Sequence, residues 1–287
     1  MNCGNLLAYG IILLLISSAL GFTIYQISRP NEPVIFLSTT TSVENTGLLD
    51  YLITAFEKTH NYTVKYTAVG SGAAIQLARD GEVDAVLVHA PDLEKKLILD
   101  DYSDQRHTLW YNYFSIVGPE GDPANVSQAS DAVQAFERIY RAGNASRATF
   151  FSRGDQSGTN LKELEIWNAT KYTINPKFSW YYATGTGMSA TLTASDSRSD
   201  SYVLTDAGTF ATVQASSSAI DKQILFGQDP MLYNPYSYLI INSTTTGTTL
   251  NTAGAQVFLN FLDDPATDQL VLNYRVGDTI LFHPIGT

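Results

Sequence analysis

The sequence predicts an α/β fold built on a mainly parallel sheet, and three observations carry that expectation. Short apolar runs of strand length alternate with segments whose apolar residues recur at helical spacing. Turns rich in Ser, Thr and Gly separate them. The chain has 287 residues, 44% of them hydrophobic, enough to bury one large core or two medium ones.

The elements follow in order. Residues 34–37 form an apolar run bounded by polar residues, a buried strand that leads into Ser38 to Ser42. Leu48, Leu49, Leu52, Ile53 and Phe56 then share one helical face. Residues 63–69 alternate as a second strand, Gly70, Ser71 and Gly72 punctuate it, and 73–79 read as helix. A third strand over 84–88 ends at His89, Ala90 and Pro91, and a strand over 110–117 leaves this unit, stopped by Gly118 and Pro119. Ala132, Val133, Phe136, Ile139 and Tyr140 mark a helix over 130–141. The strand over 148–151 runs into the turn 152–159, followed by a helix over 161–167. Residues 181–184 precede Gly185 to Met188, and 189–194 are helical again. Residues 201–204, 220–226 and 238–242 read as strands, and a final helix spans 253–262 with Val257, Phe258 and Phe261 inward. No internal repeat or low-complexity tract interrupts this order.

Formal net charge is −11, which disfavours nucleic acid and anionic membrane as partners. A bound anion would therefore have to be held by a local arrangement, against the overall field. The single cysteine, Cys3, leaves the folded body without disulfides or thiol chemistry. The first charged side chain is Arg29, and the apolar stretch from Leu6 to Ile27 has the length of a bilayer span, about 20 residues. Residues 1–33 thus read as an N-terminal hydrophobic helix and linker. The helix is either a signal-anchor ending at Arg29 and Pro30 or a signal peptide cut after Gly21. No Lys or Arg precedes it, which leaves orientation open. Sequons at Asn61, Asn125, Asn144, Asn168 and Asn242 permit glycosylation. The expected location is extracytoplasmic, anchored by that segment or secreted.

Four turns carry the chemistry: Thr39 to Ser42, Gly70 to Gly72, Ser152 to Thr159, and Gly185 to Met188. Each joins a predicted strand to a helix start, where free backbone N–H groups and the positive end of the helix dipole point outward. Such termini bind oxyanions, and in open α/β sheets they gather at the carboxyl ends of the strands. Ser or Thr before a single helix is ordinarily a plain cap. Four such turns, one with an arginine, point to a shared anion site that needs little formal charge.

The segment Thr39-Thr-Thr-Ser-Val-Glu-Asn-Thr-Gly-Leu-Leu49 resembles the opening motif of the tungstate-binding subunit of tungstate ABC importers. Further matches are Ala68-Val-Gly-Ser-Gly72, Asp84-Ala-Val-Leu-Val-His-Ala-Pro91, Tyr111-Asn112 with Val117-Gly-Pro119, and Ser152-Arg-Gly-Asp-Gln-Ser-Gly-Thr159. Gly185-Thr-Gly-Met188, Tyr202-Val-Leu-Thr-Asp-Ala-Gly-Thr209 and Leu232-Tyr-Asn-Pro-Tyr236 complete the series. They run in the family's order from about residue 34 to the C-terminus. The chain departs from the family pattern in lacking a lipoprotein signal and in Ser/Thr-rich stretches such as 242–249.

The resemblance implies a two-lobed type II periplasmic-binding-protein fold with two crossover strands and the ligand in the cleft. Lobe I would comprise 34–117 plus 233–287, and lobe II 118–232. It implies a monomer that binds tungstate or molybdate, carries no cofactor and hands its ligand to an ABC-transporter permease. A surface receptor or scavenger without an importer, or a phosphate binder, stays open. Arg153 would contact the oxyanion with its planar fork. Thr40, Thr41, Ser42 and Ser71 would supply hydroxyl and backbone donors, as would Ser157, Gly158 and Thr159. Gly187 and Met188 would offer backbone N–H groups, and Thr205 and Asp206 are weaker candidates. Asp155 bears on selectivity. Turned to the ligand it would accept a proton from phosphate; turned to Arg153 it would leave a donor-only site suited to a full dianion.

An enzyme is disfavoured. The four histidines, His60, His89, His107 and His283, are scattered, and no nucleophile elbow or metalloprotease motif occurs. His89 alone lies near the expected cleft, where a structural role is the simpler reading.

Overall fold

The computed structural model describes residues 32–216, 220–277 and 279–285. The chain opens with β1 (Val34–Thr40), α1 (Thr41–Thr46), α2 (Leu48–Thr59), β2 (Thr63–Val69), α3 (Ser71–Arg79), β3 (Ala85–Val88) and α4 (Pro91–Leu99). β1 pairs in parallel with β2 on one side and β3 on the other. The stripe expected on α2 is the buried one: Leu48, Leu49, Leu52, Ile53 and Phe56 all face inward. Burial of that size contributes about 1.5–3 kcal/mol per large apolar side chain. Between α1 and α2, Gly47 adopts φ 72°, the left-handed conformation that ends one helix and admits the next.

β4 (His107–Gly118) leads to the second half, which contains α5 (Ala132–Asn144), β5 (Thr149–Ser152), α6 (Gly158–Ala169), β6 (Tyr181–Ala183), α7 (Met188–Asp196), β7 (Ser201–Asp206), α8 (Ala207–Ala215) and β8 (Gln223–Gly227). β5 pairs in parallel with β6 and β7. The chain then returns through β9 (Tyr233–Ile240), α9 (Ser243–Thr246), α10 (Thr252–Leu262), α11 (Pro265–Asn273), the small ribbon of β10 (Arg275–Val276) and β11 (Thr279–Ile280), and β12 (His283–Pro284). The main sheet runs β2-β1-β3-β9-β4-β7-β5-β6, with β8 and β12 also on β4. It is mixed: two parallel sets flank an antiparallel centre.

β4 belongs to both halves. Its residues from His107 to Tyr113 pair with β9, and from Phe114 to Val117 with β7, while Ser115 to Gly118 also meet β8. Each half has its own core. One gathers Leu52, Phe56, Trp110, Tyr238 and Phe258; the other gathers Phe136, Phe150, Trp167, Trp180 and Tyr202.

The differences from the expected elements have physical causes. The helix over 253–262 is not the last, because α11 follows it. Asp264 accepts from Ala266 N–H and Pro265 takes the first turn, a start signal placed where the apolar pattern stops. α4 also starts on a proline, Pro91, but without a side-chain cap, and Asp206 caps α8. The strands over 110–117 and 238–242 are longer or shifted, because β4 and β9 buttress each other along six paired positions. The hydrophobic helix expected within residues 1–33 lies outside the described residues. Among the described residues no helix is long and apolar enough to cross a membrane.

Candidate functional site

β1, β2 and β3 deliver their carboxyl ends to one edge of their half, and β5, β6 and β7 do the same in the other. Contacts across the gap show that these edges face each other. Gly158 N–H donates to Ser71 Oγ at 3.1 Å, and Asn45 Nδ2 donates to Ser189 Oγ at 3.3 Å. α1 also packs on α8. The starts of α1, α3, α6, α7 and α8 therefore border one cleft.

The helix starts differ in what they leave free. Thr40 caps α1 by accepting from Val43 N–H, and Ser157 caps α6 by accepting from Asn160 N–H. α3 and α7 begin at Gly70 and Gly187, neither with a side-chain cap. First-turn N–H groups lacking a cap need an outside acceptor. Ser71 Oγ accepts from Gly158, so its own proton is uncommitted.

Arg153 is buried in the turn between β5 and α6, with only 4% of its side chain exposed. Its Nε and Nη2 both donate to Asp155 Oδ2, at 3.2 and 2.6 Å. Asp155 Oδ1 accepts from Ser157 N–H at 3.1 Å. The carboxylate thus faces the guanidinium and the helix start, and one side of the Arg153 fork is left over. Below this turn lies Glu163. It accepts from Ser152 Oγ at 2.5 Å, Tyr181 OH at 2.6 Å and Trp167 Nε1 at 3.1 Å. Burial pushes its carboxyl above the ordinary range despite those donors. Ser152 Oγ in turn accepts from Gly154 N–H, so Glu163 braces the loop that carries Arg153.

His89 connects the cleft to the centre of the sheet. Its Nδ1 lies 2.9 Å from Asn234 Oδ1, and its Nε2 lies 2.9 Å from Ser42 Oγ. Asn234 Nδ2 donates to Asn112 Oδ1 and Tyr236 OH, which leaves its Oδ1 to accept. Burial, reinforced by the Arg153 charge, pushes His89 down to about 4, so the ring is neutral. Nδ1 then carries the proton, and Nε2 accepts from Ser42. Ser42 spends its hydroxyl proton on His89, and Thr40 Oγ1, 3.0 Å away, donates to Ser42. In this arrangement neither residue has a hydroxyl proton for the cleft, and Ser42, in the first turn of α1, offers its backbone N–H instead.

The structure brings Thr40, Ser42, Ser71, Arg153, Ser157 and Thr159 together as buried groups, with Thr41 and Gly187 half-buried at the rim. The Met188 side chain is spent on the core, beside Phe151, Leu192 and Val203. The sequence assigns no role to Glu163, or to Asn112 and Asn234, which enter only within matched motifs, and it ranks Asp206 among the weaker candidates. Glu163 could have been found as a lone acid on the face shared by Ile166 and Trp167. Asp206 is wholly buried, its Oδ1 caps α8 by accepting from Thr209 N–H at 2.8 Å, and burial raises its carboxyl against the opposing pull of Arg153. Among the described residues no group of three or more His, Cys, Asp or Glu is placed to hold a metal ion.

Residues 28–265 match the family described as the PBP superfamily domain. A Haloferax volcanii protein whose name describes an ABC-transporter anion-binding protein is 40% identical, over 86% of this chain and 71% of that one. The tungstate-binding protein TupA of Peptoclostridium acidaminophilum is 34% identical, over 84% and 81%. Among solved structures, the tungstate-binding TupA from Desulfovibrio alaskensis G20 superposes with TM-score 0.75 at 35% identity, covering 88% of this chain and 98% of that one. Fold, order of motifs and identity agree: the chain belongs to the PBP superfamily and, within it, to the family of the TupA proteins.

Proposed function

We propose that this protein binds tungstate between its lobes, outside the cytoplasm, for delivery to an ABC-transporter permease. One observation carries the reading: a buried arginine, already held by Asp155, stands where helix starts from both halves meet across the cleft. Arg153 is assigned to the ligand's oxygens through the free side of its fork. Backbone N–H groups of Thr41 and Ser42, the Ser71 hydroxyl, and N–H groups at Thr159, Gly187 and Met188 would complete the shell, with Ser157 holding α6 in place. Both oxygens of Asp155 are engaged, which favours a full dianion over a phosphate needing an acceptor in that turn. The lobe limits 34–117 plus 233–287 and 118–232 are our reading, supported by the change of partner along β4. The hydrophobic N-terminal stretch is assigned to export or anchoring on its sequence alone.

Calorimetric titration of the full-length protein with tungstate, molybdate, sulfate and phosphate tests this function. Tungstate binds most tightly, and Arg153→Ala loses about a hundredfold or more in affinity, as expected for removing charge-assisted bonds of about 1.5–3 kcal/mol each. Tight binding of phosphate alone would reject the ligand, and equal binding by Arg153→Ala would reject the site.

A further inference from the structure

The start of α8 faces α1 across the cleft and holds a carboxyl with an unused oxygen. Asp206 is 0% exposed, and its Oδ2 has no hydrogen-bond partner among the described residues. Thr159 Oγ1, in the first turn of α6, is likewise buried and unpartnered among the described residues, while the Thr209 hydroxyl in the first turn of α8 lies beside the Asp206 carboxyl. Buried polar atoms without partners are uncommon in native proteins. Two such atoms, Asp206 Oδ2 and Thr159 Oγ1, at two helix starts bordering one cleft mark the place where a ligand supplies what the protein does not.

An ionised carboxylate there would repel a tetrahedral dianion, in surroundings that screen charge poorly. A neutral carboxyl would instead donate its proton to a ligand oxygen. We propose that Asp206 binds the oxyanion as the neutral acid, donating Oδ2–H to one ligand oxygen, so that wherever the empty protein holds Asp206 ionised each tungstate taken up brings one proton onto the protein. The inference rests on the tungstate reading of the same cleft and adds to it a proton count. Burial already favours the protonated form in the empty protein, against the hydrogen bonds from Thr209 and the charge of Arg153. The other groups around Asp206 do not replace that proton. Tyr236 on β9 is itself held neutral by burial, and β4 presents the neutral Asn112. On the other elements packed against α8, Glu44 of α1 is exposed and acts on Tyr66, Asp196 of α7 pairs with Lys222, and Arg275 of β10 is exposed.

Tungstate titrations of the full-length protein from pH 5 to pH 10, in buffers of differing ionisation enthalpy, read the proton count directly. On the alkaline limb, about one proton is taken up per tungstate, and affinity falls tenfold per pH unit. Asp206→Asn keeps the helix cap and a fixed N–H donor, so its affinity shows no such fall and its proton uptake is abolished. Uptake below half a proton throughout, or identical pH profiles for the two proteins, overturns the proposal. So does proton release with phosphate preferred, the mark of an ionised Asp206 acting as acceptor. The proton count on the unaltered protein stands even where Asp206→Asn does not fold. Absence of tungstate binding at every pH rejects the ligand reading and this inference together, whereas binding without proton movement rejects the inference alone.

Discussion

Arg153 is useful to an anion because Asp155 immobilises it first. A free arginine carries substantial rotamer entropy, and the two bonds from Nε and Nη2 remove most of it before any ligand arrives. His89 does comparable work for the opposite half, with pH as the handle. Its folded value, about 4, lies below the ordinary 6.5. The folded protein therefore binds fewer protons than the unfolded one between those values. The His89 contribution to stability is complete above pH 6.5 and is lost as pH falls toward 4, up to on the order of 3 kcal/mol. Glu163 and Asp206, raised by burial, slope the other way. Denaturant unfolding of the wild type and His89→Gln at matched pH isolates the term. The stability gap between them should narrow as pH drops from 6.5 to 4, and a gap independent of pH would rule out a buried neutral ring.

At the scale of elements, the cleft closes on a glycine. Gly158 is the first residue of α6, and a Cβ built there would lie 2.8 Å from His89 Cε1 and 2.9 Å from the His89 carbonyl oxygen. The second of these is backbone and cannot swing aside. Gly158→Ala should leave each half folded, since Ala favours a helix. It should cost the closed arrangement about 1–3 kcal/mol, roughly fivefold to 150-fold in affinity. An unchanged melting temperature with weakened tungstate binding is the expected pair of results; unchanged binding would mean the two edges do not meet at Gly158.

What the sequence made legible at this scale follows its periodicities. The stripe on α2 and the run over β1 are continuous apolar signals, and both elements stand where expected. α4 and α11 went unread because their first turns carry Pro91 and Pro265, residues that end a pattern as readily as they begin a helix. At the site, Arg153 and the Ser/Thr turns declare themselves by residue type. The direction of the Asp155 side chain and the hydrogen-bond chain from Asn112 to Ser42 depend on long-range register, which local pattern does not encode.

At the scale of the whole molecule, β4 and the connection from β8 to β9 join the two halves, and ligand closure would be a hinge motion about them. Bonds such as Asn45 to Ser189 and Gly158 to Ser71 close the gap but are few. The ligand-free protein should sample wider states, and tungstate should reduce the radius of gyration measured by small-angle X-ray scattering. Gly158→Ala should blunt that compaction, and a radius unmoved by saturating tungstate would count against hinge closure.

The position of β9 also governs how the chain is built during synthesis. β3, with the buried sequence Ala85 to Val88, sits between β1 and β9, and β9 is made only after the entire second half has emerged. Tyr236, Tyr238, Phe258 and Leu259 of the first core arrive with the same late segment. On the ribosome, the half made first must wait with an open sheet edge and an unfilled interior, while the inserted half already has every strand and core residue it needs. β3 thus gains its outer neighbour only once β9 has been made, after the strands of the inserted half are already complete.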